Sequence, residues 1–261
     1  MKQTIGISYK AAAVGIALAI APTAPLTAAD AAPAAVAADS GAAATTTPLE
    51  ASTMIIEYNS SARDIGVQFF VDSEGWRVVR IFDPKGVQIF GAETQGRLAR
   101  QGGGTELFLE SVEPELAEMP LKTFFNRFPE GTYTFKARDD AGNLQEGSFK
   151  FTHNLPAGPV LITPVPAKGA DCASRVPLPV TVAWEPVTTS AFGLPLKIVA
   201  YEVIVENEVD VTLDFKFPAN VHELTVPDGL LKPGADYIFE VLAIEEGKNQ
   251  TITEGCFSTA R

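Results

Sequence analysis

Leu230-Leu231-Lys232-Pro233-Gly234-Ala235-Asp236-Tyr237-Ile238-Phe239-Glu240-Val241-Leu242-Ala243-Ile244 reads as a turn followed by a strand. Pro233 presets φ and Gly234 accepts φ > 0, so the pair makes the turn. From Tyr237 onward, Tyr237, Phe239, Val241 and Ala243 fall on one face and Glu240 on the other, which is the period of a half-buried strand. Leu231, Pro233-Gly234 and Tyr237 together read as a tyrosine corner, in which the Tyr hydroxyl bonds back to upstream backbone and locks a loop between two sheets. The stretch therefore predicts a turn and a half-buried strand of a β-sandwich.

The rest of residues 159–261 fits around it. Val160 to Val165, Leu178 to Trp184, Lys197 to Val205, Val209 to Phe215, Val221 to Val226, Asp236 to Ile244 and Thr251 to Ser258 read as short strands separated by turn signals. Pro164-Val165-Pro166, Val180 to Pro186, Tyr201 to Val205 and Leu231 to Ala243 resemble the first, second, third and sixth strands of a fibronectin type III domain. The resemblance implies that Trp184 is the core tryptophan, with Leu231 and Tyr237 forming the corner. This sequence departs from the family in a longer first loop, residues 166–177, and in its two cysteines. In that fold the first loop and the end of the last strand share a pole, so the resemblance implies that Cys172 and Cys256 meet. A disulfide there fits an exported protein; two buried thiols are the alternative.

Residues 53–156 predict another β-sandwich. Met54 to Tyr58, Ile65 to Val71, Trp76 to Phe82 and Val87 to Phe90 read as strands, with turns expected at Asp72-Ser73-Glu74-Gly75 and Asp83-Pro84-Lys85-Gly86. Thr94 to Arg100 and Thr105 to Val112 read as two more, split by Gly102-Gly103-Gly104. The period then changes: Leu121, Phe124, Phe125 and Phe128 fall at i, i+3, i+4 and i+7 after Pro120, which predicts one short helix stopped at Pro129. Gly131 to Asp139, a turn at Asp140-Ala141-Gly142-Asn143, and Leu144 to Thr152 form a hairpin. Its Gly-Thr-Tyr-x-Phe-x-Ala run resembles the late strand of bacterial immunoglobulin-like domains. The fold class expected is all-β, an immunoglobulin-like and then a fibronectin type III-like sandwich in tandem. Pro156-Ala157-Gly158-Pro159 is read as a short stiff joint between them.

Residues 1–28 read as a signal peptide: Lys2 and Lys10 give a positive start, Ala11 to Ala21 an apolar core, and small residues follow. That core is shorter than the about 20 apolar residues of a spanning helix, and no transmembrane segment is expected in the mature chain. Residues 29–52, rich in Ala, Thr and Pro, read as a disordered linker. The protein is expected to be exported, whether periplasmic, cell-surface or secreted. Net charge is −12, and losing Lys2 and Lys10 takes it to −14. Nucleic acid needs clustered Lys/Arg and anionic lipid needs a basic face, so both are excluded as partners; the balance favours cationic ones.

Two cysteines and two histidines, His153 and His222, leave no zinc motif. Glu202, Glu206, Glu208, Asp210 and Asp214 form one acidic set, readable as a site for a cation or basic partner, or as a charged face that protects an edge strand. Glu57, Asn59, Asp64, Asp72 and Glu74 form a second, which carries the calcium candidates. Asn59-Ser60-Ser61 and Asn249-Gln250-Thr251 match glycosylation acceptors, a pattern too short to mean much alone. Phe192 reads either as an exposed loop aromatic or as core. No residues pair as nucleophile and base, and no cofactor is implied. The expected function is a non-enzymatic binding protein that contacts protein or glycan through its sandwich loops. A carbohydrate-active hydrolase, or an accessory module of one, and a structural envelope component are the alternatives.

Overall fold

The computed structural model describes residues 46–207, 209 and 211–261. The signal peptide and most of the linker expected over 29–52 lie outside the described residues, as do Glu208 and Asp210. Chain order in the first sandwich is β1 (Thr46–Pro48), β2 (Ala51–Asn59), β3 (Asp64–Trp76), β4 (Val78–Phe82), β5 (Gln88–Glu93), α1 (Gly96–Arg100), β6 (Gly104–Glu110), α2 (Leu121–Arg127), β7 (Gly131–Arg138) and β8 (Leu144–Phe151). The second contains β9 (Leu161–Thr163), β10 (Ala173–Val176), β11 (Thr181–Trp184), β12 (Ile198–Glu206), β13 (Thr212–Pro218), β14 (Glu223–Thr225), β15 (Asp236–Glu245) and β16 (Gln250–Thr259). The described residues are all-β apart from two short helices.

Each sandwich closes over its own apolar core. Sheet β1-β8-β7-β4-β5 faces β2-β3-β6 across Met54, Ile56, Val67, Val79, Ile81 and Phe135. Strands β13-β12-β15-β16 face β14-β11-β9 across Val182, Trp184, Tyr201, Val203, Phe239 and Phe257. The same device closes both. Tyr237, on β15, accepts the Lys232 N–H at 2.8 Å, and Tyr133, on β7, donates to the Pro129 carbonyl at 3.0 Å. A disulfide joins Cys172 to Cys256 with their Cα atoms 4.9 Å apart. It pins β10 alongside the end of β16, where Ala173 pairs with Phe257 in parallel. No helix among the described residues is long and apolar enough to cross a membrane.

Four sequence expectations change. The strand over Thr94 to Arg100 is instead helix α1, so the first sandwich has two helices rather than one. Gly96 turns the chain at φ +58°, and only Thr94 and Ala99 of the segment are buried, five residues apart, so no alternating face exists to pair. The turn at Asp72 to Gly75 is absent: β3 runs through it, with Ser73 buried and Trp76 paired to Gly104 beyond a register shift. A bulge absorbs the polar run. Thr46–Pro48, placed in the linker, is a strand parallel to β8, and Leu49 behind it joins the core. The strand expected at Val209 to Phe215 sits later, at Thr212–Pro218.

The largest departure is at the joint. β16 pairs in parallel with β2, through Gln250 with Glu57, Thr251 with Tyr58 and Ile252 with Asn59. One sheet thus runs β13-β12-β15-β16-β2-β3-β6 through both sandwiches, and residues 46–261 belong to one compact unit. The seam is polar. Asn249, 1% exposed, accepts the Ile56 N–H at 2.9 Å and donates to the carbonyls of Thr152 at 3.0 Å and Asn154 at 3.2 Å. Thr251 donates to the Pro156 carbonyl at 2.8 Å, and Ser60 donates to that of Ile252 at 2.7 Å. Gln250 donates to Glu57, and Asn59 to Glu254. Gly158 is packed so closely that a Cβ there would lie within 2.9 Å of Ser60 and Thr253. The two acceptor-like tripeptides of the sequence are therefore the two halves of one joint. Helix α2 adds an aromatic bracket: Phe125 stacks on His153 at 4.1 Å and meets Phe192, 52% exposed, edge-on at 6.1 Å.

Candidate functional site

Strand alternation decides what the shared sheet presents on the side away from the cores. Val203, Val205, Phe239 and Val241 point into the second core, so Glu202, Ile204, Glu206, Glu240 and Leu242 point the other way. Met54, Ile56 and Val67 point into the first core, so Glu57, Asn59, Asp64, Gly66 and Gln68 continue the same outer side. Register aligns Glu240 directly with Glu254, and Gln68 with Glu110. Gly66 leaves room over β3 that Glu113 fills: a Cβ on Gly66 would lie 2.8 Å from Glu113 Cγ. The result is a carboxylate face spanning both sandwiches. It brings Glu202 and Glu206 of one acidic set onto the same face as Glu57, Asn59 and Asp64 of the other.

These groups raise one another. Burial, then the charge of Glu110, push Glu57 up to about 7 against the hydrogen bond from Gln250, which lowers it. Burial, then Glu57, Glu110 and Asp64, push Glu113 up to about 8. Burial, then Glu254 and Glu206, take Glu240 to about 7. Burial also raises Asp64, with Glu254 adding to it, and raises Glu202, whose Lys216 partner at 3.2 Å opposes the shift. Near neutral pH the face therefore holds protons that ordinary carboxylates would have released.

Of the five calcium candidates, Glu57 alone enters a tight carboxylate group. Its oxygens, with those of Glu110 and Glu113, lie within 4.8 Å of one another. Asn59 is engaged with Glu254 across the seam, and Asp64 lies further along the face. Asp72 and Glu74 sit at the far end of β3, where Asp72 pairs with Ala51 and Glu106. Three oxygens are about half of what calcium takes. Cys172 and Cys256 hold β10 at the pole, and Tyr237, Leu231 and Trp184 are core. Glu110, Glu113, Glu240 and Glu254 were missed as site residues. Glu240 and Glu254 became legible only once β15 and β16 were paired, and Glu113 only through Gly66.

His153 is taken up by structure: its Nε2 lies 2.7 Å from the Phe128 carbonyl and its ring stacks on Phe125. No family model matches the chain, and no curated protein matches it. Among solved structures it is similar to the FN1–FN3 domains of chicken CNTN1, at 11% identity over 83% of this chain and 65% of that one, with a TM-score of 0.31. It is similar also to a tetra-tandem repeat in the extending region of a large adhesion protein, at 11% identity over 80% of this chain and 49% of that one, TM-score 0.28. A two-domain fibronectin type III segment of chicken tenascin shows 11% identity over 81% of this chain and 96% of that one, TM-score 0.27.

Proposed function

We propose that the chain is an exported, non-enzymatic interaction protein of the cell envelope, contacting protein or glycan partners through the surfaces of its sandwiches. The observation that carries this reading is the sheet continuous through both sandwiches. A hinged pair would have to order its domains on binding. A sheet locked at the seam offers contact residues from both in one fixed arrangement, which removes that cost. The buried, hydrogen-bonded Asn249 and Thr251 support the same rigidity. The Cys172–Cys256 disulfide supports an oxidising compartment. Phe192, half-exposed beside Phe125, is a loop aromatic open to partner contact.

The test is capture of partners from envelope extract on the immobilised chain, run beside a glycan array. Saturable binding lost on charge reversal of the shared face supports the reading; absence of binding in both formats contradicts it. One observation favours a hydrolase as the second reading: a proton-holding Glu113 beside Glu57 and Glu110 offers the acid and carboxylate that glycoside cleavage uses. These groups sit on a sheet face rather than in a cleft. Glycan turnover abolished by Glu113→Gln would establish it.

A further inference from the structure

On the opposite side of the first sandwich a cluster of cations sits among fewer carboxylates, Glu93 and Glu146. Beyond the core-facing Val79, Ile81, Phe135 and Ala137, strands β4 and β7 present Val78, Arg80, Phe82, Lys136 and Arg138 outward, and β8 adds Leu144. These six side chains line one open depression. Arg80 stands directly opposite Lys136 in the ladder, and Arg138 stands opposite Val78. Lys136 has Glu146 at 2.8 Å and the Phe82 ring centroid at 6.0 Å, and Arg138 donates to the Gly142 carbonyl at 3.0 Å. Arg80 is exposed and reaches no carboxylate among the described residues.

Like charges directly opposite on neighbouring strands destabilise a sheet. In this protein Arg80 stands opposite Lys136 on one face, where Glu146 pairs with Lys136, and Glu240 stands opposite Glu254 on the other, where Asn59 donates to Glu254. We propose that the basic face of the first sandwich docks on the acidic shared face of a second copy of the chain. The proposal rests on the interaction reading above and names its partner.

Three features support the match. Charge is complementary, with Arg80 and Arg138 exposed on one face and Glu110 and Glu206 reaching solvent on the other. Both surfaces are β-sheets, so their charged rows repeat at the same spacing of about 4.8 Å between strands and can stack about 10 Å apart. Both mix aliphatic with charged side chains, Val78, Phe82 and Leu144 against Ile204 and Ile238, so contact also removes apolar surface from water. The net negative charge of the whole chain opposes approach at long range. At physiological salt that field decays over about 8 Å, which leaves the facing rows to decide. Because the two faces differ, the contact is heterologous and adds copies head to tail.

The test is sedimentation equilibrium of the full chain at about 0.15 M salt, with two variants. Arg80→Glu with Arg138→Glu reverses the basic face. Glu110→Lys with Glu206→Lys reverses an exposed and a half-buried carboxylate of the acidic face and leaves the seam hydrogen bonds in place. Wild type is expected to show an average mass that rises with concentration. Each variant alone should associate at least tenfold more weakly, and an equimolar mixture should recover association, because each supplies the face the other lacks. Circular dichroism checks that each variant folds; Arg80→Gln, milder, should weaken association in the same direction. A wild type that stays monomeric, or reversals that associate as well as wild type, overturns the proposal. A monomer that still captures a foreign protein or glycan sinks the homotypic contact alone and leaves the interaction reading standing. Saturation of the basic face by an anionic polysaccharide in place of a second copy overturns it as well.

Discussion

The cores and the seam hold the molecule together by different means. Each core is apolar and alternating, with Trp184, Tyr201 and Phe239 in one and Met54, Ile56 and Phe135 in the other. The seam is made of Asn249, Thr251, Ser60 and Gln250. Apolar burial is non-directional and makes a sandwich wherever the pattern is right. Buried hydrogen bonds add less net stability but fix one geometry, because leaving a partner unmade is costly. The cores make two sandwiches; the seam makes them one body.

The largest effect expected is in a core. Trp184→Ala should cost about 4 kcal/mol, measured by chemical denaturation, and should unfold the second sandwich first. Asn249→Ala should cost about 3 kcal/mol, since it strands the Ile56 N–H and the Thr152 and Asn154 carbonyls. Unlike the core variant it should leave both cores intact while the radius of gyration grows in small-angle scattering. Equal scattering from the two proteins would erase the distinction between core and seam.

Acidity sharpens the comparison, because the seam borders the carboxylate face. Glu57, Glu113 and Glu240 have folded values of about 7, 8 and 7, against 4.5 when exposed. The folded state thus binds these protons more tightly. The stability they contribute is full below pH 4.5 and is lost as pH rises through the folded values, with the decline complete above about 8. After solvent screening we expect about 2 kcal/mol in total, a fall of roughly 6 °C in Tm by calorimetry between pH 5 and 8.5. Glu113→Gln should flatten the profile; an unchanged slope would assign it elsewhere. Smallest of all, Tyr133→Phe and Tyr237→Phe should each cost about 1 kcal/mol. Unequal losses would show that the two corners are not the same device.

Strand and helix positions were legible where one face is buried. Tyr237 to Ile244 and the Leu121, Phe124, Phe125, Phe128 stripe announce themselves by period alone, and the structure places β15 and α2 there. Thr94 to Arg100 misled because its place between strands suggested another, while Arg97, Leu98, Ala99 and Arg100 are helix formers. Tyr133 carries the same corner as Tyr237, yet no Pro-Gly turn precedes it to mark it. The seam was least legible. Asn59-Ser60-Ser61 and Asn249-Gln250-Thr251 lie far apart in the chain and consist of residues that loops also use. Only the pairing of β16 with β2 gives them a role, and strand pairing between distant segments leaves no local signature. The carboxylate face was half legible: Glu57, Asp64, Glu202 and Glu206 were visible as charge, but their meeting on one face depends on that same pairing.

Native-state amide hydrogen exchange at Ser60 and Ile56 tests most directly whether the seam makes one body. Ser60 N–H bonds the Ile252 carbonyl at 2.8 Å, and Ile56 N–H bonds Asn249 at 2.9 Å, so both read the seam itself. The account predicts protection comparable to that of Val203 and Val241, deep in the second sandwich. Exchange at open-chain rates at these two sites, with Val203 and Val241 still protected, would mean two sandwiches on a hinge and would contradict it.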